Sequence, residues 1–343
     1  MSSSAPAVSV VMPVHDGERF LREAVESVLA QTLADVELVA VDDGSTDSTR
    51  DILEEYARAD RRVVVTATDH VGQADARNAA VALARADMIA FLDADDVACA
   101  DRLERQVAFL AGHEELAVVG GALTFIDEDG CAFAEDVRYP ISDGEIRAAF
   151  AQMTPIANSA ALVRRSAFLA VGGLRRAFAD SEDLDLWLRI AERHRLGNLE
   201  QTVVRYRIHR AQASMQRLEQ QSLTALAARL SARARSTGSP DPFDGVERVD
   251  RDLLLGLGAT EHELVENIVM QGTWLARTIY RAGDVDRGEA LFADVLARAQ
   301  AAASPELAGH VELERSHARS GRRSAWRARI RSLLPGSPPA RAR

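Results

Sequence analysis

Short apolar runs alternate with segments of helical periodicity along the N-terminal part of the chain. Apolar, β-branched residues at 8–12, 37–41, 63–66 and 88–92 predict four strands. Apolar positions spaced by three or four residues at 20–29, 48–59 and 74–86 predict three helices between them. Strands that alternate with helices are typical of right-handed βαβ units, so we expect an α/β fold with a mostly parallel sheet flanked by helices.

Polar residues follow the predicted strands, at the edge where parallel sheets bind ligands. Alternate carboxylates of an extended chain lie on one side, so Asp93 and Asp95 can converge on a hard cation such as Mg²⁺ or Mn²⁺. Taken alone, this cluster is equally consistent with a solvated acidic turn, and Asp42 and Asp43 could merely cap the next helix. Their coincidence on one rim favours a binding site.

The pattern changes beyond residue 100. Short strands are predicted at 116–119, 122–126, 160–163 and 202–206, and a helix at 181–193. From residue 218 the pattern is helical, with a linker rich in Gly, Ser and Pro at 236–245. We therefore expect a catalytic domain at 1–215, a helical extension at 216–320 and a tail at 321–343.

Composition narrows the class of protein. The chain has 343 residues, enough for two domains, and its net charge of −11 argues against nucleic-acid binding. Two cysteines provide neither a disulfide framework nor a cysteine-rich metal site, which favours a reducing cytoplasm. No signal peptide and no apolar run of about 18 residues is evident, so no membrane span is expected.

Four segments resemble, in order and spacing, the family 2 glycosyltransferases of the nucleotide-diphospho-sugar (GT-A) fold. They are MPVHDGERFLREAVESVLAQT, VAVDDGSTDSTRDIL, GQADARNAAVALARADMIAFLDADD and ADSEDLDLWLRI, and the resemblance covers roughly residues 7–212. It implies metal-dependent, inverting transfer of a single sugar from a nucleotide-diphospho-sugar, with UDP-sugar the first choice, to a glycan or lipid-linked acceptor in cell-surface glycan synthesis. An inactive binding or scaffold protein of the same fold is one alternative. A nucleotidyltransferase is another, although the chain lacks the Gly-rich loop and any lysine for a triphosphate.

The resemblance also implies roles on the donor side. Asp93 and Asp95 would be the pair associated with Mn²⁺ or Mg²⁺, with Asp95 the direct ligand, and His209 would reach the metal or the diphosphate. Arg77 would bind the anionic nucleotide or fix Asp42. The alternative is that it is a surface arginine. The remaining residues assigned to the nucleotide-sugar are Pro13, His15, Asp42, Asp43 and Ala94. His15 stands where the family usually has an aromatic residue, which leaves the nucleotide open.

The general base is assigned to Asp183, with Glu182 as its competitor. Both precede an apolar helical pattern, and a carboxylate at a helix N-terminus is expected to stay ionised because of the helix dipole. An ionised carboxylate is the form that a base needs.

The C-terminal part holds two further patterns. The segment around 273–300 resembles a tetratricopeptide-like hairpin, which needs a small, a large, a turn and a small residue at the positions of Ala276, Tyr280, Gly283 and Ala290. A plain helical appendage is the alternative. The tail at 321–343 has arginines and a few apolar residues, as in a peripheral helix at the inner face of an anionic membrane or in a disordered basic tail.

Overall fold

One mixed eight-stranded sheet organises the protein, in a computed structural model that describes residues 5–133, 136–212 and 216–320. The strand order is β3-β2-β1-β4-β7-β6-β8-β5. The strands are β1 (Val8–Val14), β2 (Val36–Asp43), β3 (Val63–Thr68), β4 (Met88–Phe91), β5 (Val97–Ala98), β6 (Leu116–Ile126), β7 (Leu162–Arg164) and β8 (Arg195–Arg207).

Helices cover both faces of the sheet and continue beyond it. They are α1 (Leu21–Leu29), α2 (Thr49–Ala59), α3 (Gln73–Leu83), α4 (Arg102–Ala111), α5 (Asp143–Ala149), α6 (Arg165–Ala170), α7 (Glu182–Ala191), α8 (Leu218–Ser236), α9 (Arg251–Gly256), α10 (Glu261–Arg281), α11 (Val285–Ala301) and α12 (Pro305–Ser320), with short 3-10 helices at Asn158–Ala160 and Arg176–Phe178.

The first four strands are parallel to one another, which confirms the predicted α/β fold. β1 and β2 are largely apolar because both of their faces are buried, whereas the edge strand β3 is only partly buried. The other half is mixed, since β7 is antiparallel to β4 and β6, whereas β6 and β8 are parallel. The two strands predicted at 116–119 and 122–126 form one strand with irregular pairing near Gly120, and residue 160 lies in a 3-10 helix instead of a strand.

Two buried side chains of α4 bind the junction between these halves. The Arg102 guanidinium donates to the carbonyls of Phe91, at 2.9 Å, and Ala161, at 3.2 Å. The Gln106 amide donates to the Ala160 carbonyl at 2.7 Å. Burial lowers the pKa of Arg102 to about 10. These bonds help to satisfy buried carbonyls at the end of β4 and before β7, and they fix β4 against the 3-10 helix beside it.

The apolar core does not end at residue 215. Leu223 and Leu226 of α8 belong to the same buried cluster as Trp187 of α7 and Phe91 of β4. A second cluster, between α10, α11 and α12, includes Ala276, Phe292 and Val311. The division at 215 stays a prediction, but part of the helical extension completes the core of the sheet.

The predicted helical hairpin is present as α10 and α11, with a turn at Gly283, whose φ is +95°. One of its predicted contacts is wrong. Ala290 is exposed, and the close contact is made by Gly288, where a Cβ would lie 2.8 Å from Cβ of Tyr280. The tetratricopeptide-like assignment stays a prediction.

The tail prediction falls at 321–343, outside the described residues. Within the described residues, none of the helices combines the length and apolar character needed to span a membrane.

Candidate active site

The loop after β4 holds Asp93 firmly inside a polar network. Its carboxylate accepts from Arg77 Nη2 at 2.6 Å, from Asn158 Nδ2 at 3.0 and 3.2 Å and from the Ser159 hydroxyl at 2.9 Å. The Asp93 N–H donates to the same hydroxyl at 3.1 Å. With both carboxylate oxygens already paired, Asp93 positions this loop and does not offer a free ligand oxygen.

Asp95 and His209 meet two residues further along the loop. Asp95 Oδ2 lies 2.8 Å from His209 Nε2, and the His209 ring packs 4.9 Å from the ring of Phe20. The side chain of Asp95 is 26% exposed, so it is accessible to a ligand. Between the two acids, Ala94 packs against the sheet core.

One carboxylate and one imidazole fit a hard divalent cation that keeps its other positions for phosphate oxygens and water. The described residues contain no group of three His, Cys, Asp or Glu side chains poised around one point. The donor set thus supports Asp95 and His209 as candidate ligands. Both Asp93 oxygens already accept hydrogen bonds within the protein, and the pairing of Asp93 and Asp95 on one ion stays a prediction.

The end of β8 explains why His209 stands here. The Arg207 N–H donates to Asp96 Oδ1 at 2.8 Å, and its Nε donates to the Asp95 carbonyl at 2.9 Å. Burial, with the charges of Asp95 and Asp93, raises the pKa of Asp96 well above its usual value. Arg207 therefore fixes the acidic loop and places His209, two residues on, against Asp95.

The nucleoside rim lies at the ends of β1 and β2. Asp43 accepts from the Thr68 hydroxyl at 2.8 Å and from the N–H groups of Val71 and Gly72 at 2.7 and 2.8 Å. The pKa of Asp43 is lowered: burial alone would raise it, but these hydrogen bonds favour the ionised form. Asp43 thus anchors the loop that begins α3, and its oxygens are not free for a ribose.

His15 leaves more of its surface open to a ligand than Asp42, which is as buried as Asp43. Asp42 accepts from the Ser45 N–H at 3.0 Å and has the guanidinium of Arg50 at 3.7 Å. The His15 ring packs 4.2 Å from that of His70, and its Nδ1 is 2.8 Å from the Asp43 carbonyl oxygen. Pro13 is buried within β1. The rim therefore presents two imidazoles, those of His15 and His70, with the Asp42 carboxylate buried behind them.

Arg77 connects the acidic loop to the start of α7. It is fully buried, and besides Asp93 it donates to Glu182 Oε1 at 3.2 Å. Arg77 is not a surface arginine, and it pairs with Asp93 and Glu182 instead of Asp42; its assignment to the nucleotide stays a prediction. Because Glu182 is committed to this guanidinium, Asp183 is left as the candidate base.

Asp183 is partly buried and accepts from the Leu184 N–H at 2.7 Å. Burial and the neighbouring charge of Glu182 raise the pKa of Asp183 to about 7. The expectation that the helix N-terminus keeps this carboxylate fully ionised is wrong, because desolvation outweighs the helix dipole. A carboxyl with a pKa near neutrality is well matched to taking up a proton from a hydroxyl.

Asn158, Ser159 and Arg207 were missed by sequence reasoning. The first two lie in an irregular segment before β7, and Arg207 ends a strand whose pattern gives no indication of a site. The single available signal for Arg207 is its position two residues before His209.

Comparison with known proteins establishes the family of the chain. Residues 9–172 match the family described as glycosyl transferase family 2. The putative glycosyltransferase EpsE of Bacillus subtilis (strain 168) is 35% identical over 210 residues, covering 60% of this chain and 74% of that protein. The O-antigen biosynthesis glycosyltransferase WbnJ of Escherichia coli is 31% identical over 207 residues, covering 59% of this chain and 80% of that protein.

Two solved structures share the fold. S. aureus TarS 1-349, in complex with UDP, gives a TM-score of 0.52 at 15% identity and covers 92% of each chain. The mannosyltransferase PcManGT from Pyrobaculum calidifontis, in complex with GDP-Man and Mn²⁺, gives 0.51 at 16% identity and covers 96% of this chain and 85% of its own. Fold and sequence together define a GT-A-type glycosyltransferase. The chain belongs to glycosyltransferase family 2.

Proposed function

We propose that this enzyme transfers a single sugar from a nucleotide-diphospho-sugar to an acceptor hydroxyl, with inversion at the anomeric carbon, in the synthesis of a cell-surface glycan. The observation that carries the proposal is the Arg77 bridge. One buried guanidinium joins Asp93, in the loop that bears Asp95, to Glu182, beside Asp183. The donor corner and the candidate base are thereby held in one fixed arrangement, as transfer between two bound substrates requires.

The donor would bind along the ends of β1, β2 and β4. The nucleoside would lie against His15 and Asp42, where a carboxylate can accept from a base N–H. UDP and GDP-Man, which are bound by the solved proteins of the same fold, are the first nucleotides to test. A divalent cation held by Asp95 and His209 would supply positive charge for the departing diphosphate.

Asp183 would act as the general base. As the acceptor oxygen bonds to the anomeric carbon, its proton passes to the Asp183 carboxylate, and the bond from that carbon to the diphosphate oxygen breaks. Attack from the face opposite the diphosphate gives inversion. At neutral pH about half of the Asp183 side chains are ionised, so a base with this pKa is both available and strong enough to accept the proton.

The test is thermal stabilisation by UDP-, GDP-, dTDP- and CDP-sugars, with and without Mn²⁺ or Mg²⁺, followed by release of nucleoside diphosphate from the donor that binds. A ligand at about 100 times its dissociation constant adds about 2.7 kcal/mol. We expect a metal-dependent shift with one nucleotide, lost in Asp95→Asn and kept in Asp252→Asn, a matched change at an exposed position of α9.

Asp183→Asn separates binding from chemistry. It is expected to keep the donor-dependent shift and to lose most of the product release, because only the base is removed. Absence of a shift with every donor would contradict the proposal and would favour a binding or scaffold protein with this fold. A shift that is unchanged in Asp95→Asn would contradict the role given to Asp95.

The proposal also places the enzyme at the cytoplasmic side of a membrane, held peripherally by the arginine-rich tail at 321–343. Each Arg near an anionic surface contributes on the order of 1 kcal/mol. Deletion of residues 321–343 should abolish cosedimentation with phosphatidylglycerol liposomes at low salt. Equal cosedimentation of the shortened chain would remove this part of the proposal.

A further inference from the structure

A cluster of aromatic side chains joins the helical extension to the sheet. The ring centroid of Phe125, in β6, lies 5.8 Å from that of Tyr206, 6.1 Å from that of Phe133 and 6.1 Å from that of Trp274. Trp274 lies on α10, far from the others in sequence, and it packs against the same core cluster as they do. We call Phe125, Phe133, Tyr206 and Trp274 the aromatic cluster.

The members of the aromatic cluster differ in exposure. Phe125 is buried at 5% exposure, whereas Phe133, Tyr206 and Trp274 are only partly buried. Large rings that are packed but not fully covered suit a ligand that has both apolar and hydroxyl-bearing surfaces. A pyranose ring, with C–H groups on its faces and hydroxyls on its rim, is such a ligand.

The aromatic cluster adjoins the acidic loop. Tyr206 directly precedes Arg207, whose N–H donates to Asp96 Oδ1 at 2.8 Å and whose Nε donates to the Asp95 carbonyl at 2.9 Å. Burial and the nearby carboxylates of Asp96, Asp95 and Asp93 raise the pKa of Tyr206 well above its usual value, which agrees with this position.

Gln212 adds a polar group with no assigned function. Its Nε2 donates to the Tyr206 hydroxyl at 2.7 Å, and the residue is 8% exposed. Its Oε1 is buried and has no hydrogen-bond partner among the described residues. A buried acceptor without a partner is unfavourable, so a bound hydroxyl at this position would be stabilised.

We propose that Trp274, Tyr206 and Gln212 form a subsite for a sugar ring of the acceptor, so that the helical extension takes part in choosing the acceptor. This inference rests on the proposed function, because a sugar bound here is an acceptor only if the enzyme transfers sugars. Trp274 supplies a ring face, Gln212 accepts from a sugar hydroxyl, and Tyr206 orients Gln212 beside the acidic loop. Carbohydrate, and not the lipid of a lipid-linked acceptor, is the chemical class that this subsite recognises.

The test is saturation-transfer NMR on the full chain with methyl glycosides of glucose, galactose, mannose and N-acetylglucosamine at millimolar concentration. We expect at least one glycoside to bind. Its dissociation constant should rise about fivefold or more in Trp274→Leu and in Gln212→Met, and less than about twofold in Trp274→Phe, which retains a ring. Binding that is unchanged in Trp274→Leu and Gln212→Met, or no binding to the wild type, overturns the inference.

Two further readings separate recognition from simple loss of structure. The KM for the glycoside should rise in Gln212→Met but not in Trp274→Phe, while the nucleotide-dependent thermal shift is kept in both variants. Equal losses in the thermal shift and glycoside binding would indicate a structural role and overturn the inference. The NMR experiment contains no nucleotide, so its outcome is distinguishable from failure of the proposed donor chemistry.

Discussion

Replacing Asp183 by asparagine is expected to stabilise the fold while it removes the base. The pKa of Asp183 is about 7 in the folded protein and 3.8 in the ordinary reference state. At pH values between these two pKa values, Asp183 is protonated in the folded chain and ionised in the unfolded chain. The free energy of unfolding therefore falls as the pH rises through this range. The full difference corresponds to about 4 kcal/mol. Because Asp183 is only partly buried and water screens it, we expect about 1–2 kcal/mol.

The measurement is urea denaturation of the wild type and Asp183→Asn at about pH 5 and about pH 8. The variant should be more stable by about 1–2 kcal/mol at the higher pH, with a smaller difference at the lower pH. Its turnover should fall by about two to four orders of magnitude, as expected for loss of a general base. Lower stability of the variant at the higher pH would refute the reasoning.

Asp185 provides a matched control on the same helix. It is fully buried, and its carboxylate accepts from Arg189 Nε at 2.9 Å and from Arg175 Nε at 3.0 Å. Asp185→Asn removes the charge that these guanidinium groups require and should destabilise the protein by about 3–5 kcal/mol. The same chemical change two residues apart is therefore expected to have opposite signs.

Three further outcomes are expected. The kcat/KM should rise about tenfold per pH unit below about pH 7 and level off above it, because only ionised Asp183 accepts a proton; a profile that falls with pH would contradict this role. Arg77→Met leaves the buried Glu182 and the partly buried Asp93 without their cation and should destabilise by about 3–5 kcal/mol in urea denaturation, and a loss under about 1 kcal/mol would show that the bridge is dispensable. Gly288→Ala should cost about 1–3 kcal/mol because the new methyl group meets Tyr280, whereas Ala290→Ser on the exposed side should change stability by less than about 0.5 kcal/mol; equal melting temperatures for the two variants would refute the packing of α10 on α11.

The parallel half of the sheet could be predicted because its physical signals are local. Strands buried on both faces are apolar throughout, and the polar residues that follow them stand where such sheets bind ligands. Asp95 and His209, which the resemblance assigns to one metal site, lie 2.8 Å apart, and no pattern in the residues between them indicates this proximity.

The use of each carboxylate could not be predicted, because it depends on partners distant in sequence. Asp93 is engaged by Asn158 and Ser159, 65 and 66 residues away, and Asp43 is engaged by the loop that precedes α3. The pKa of Asp183 likewise depends on burial, which the residues around it do not reveal. Identity and position of an acid are visible in the sequence, but its free oxygens and its charge are set by the folded surroundings.

Helix α10 has a consequence for any attempt to divide the chain. It contributes Leu264 to the core of the sheet and Ala276 to the core between the C-terminal helices, so one helix belongs to both cores. A fragment ending at residue 215 would uncover the surface that Leu223 and Leu226 protect from water. Such a fragment is more prone to aggregate than to act as a minimal enzyme, and a soluble version requires redesign of that surface.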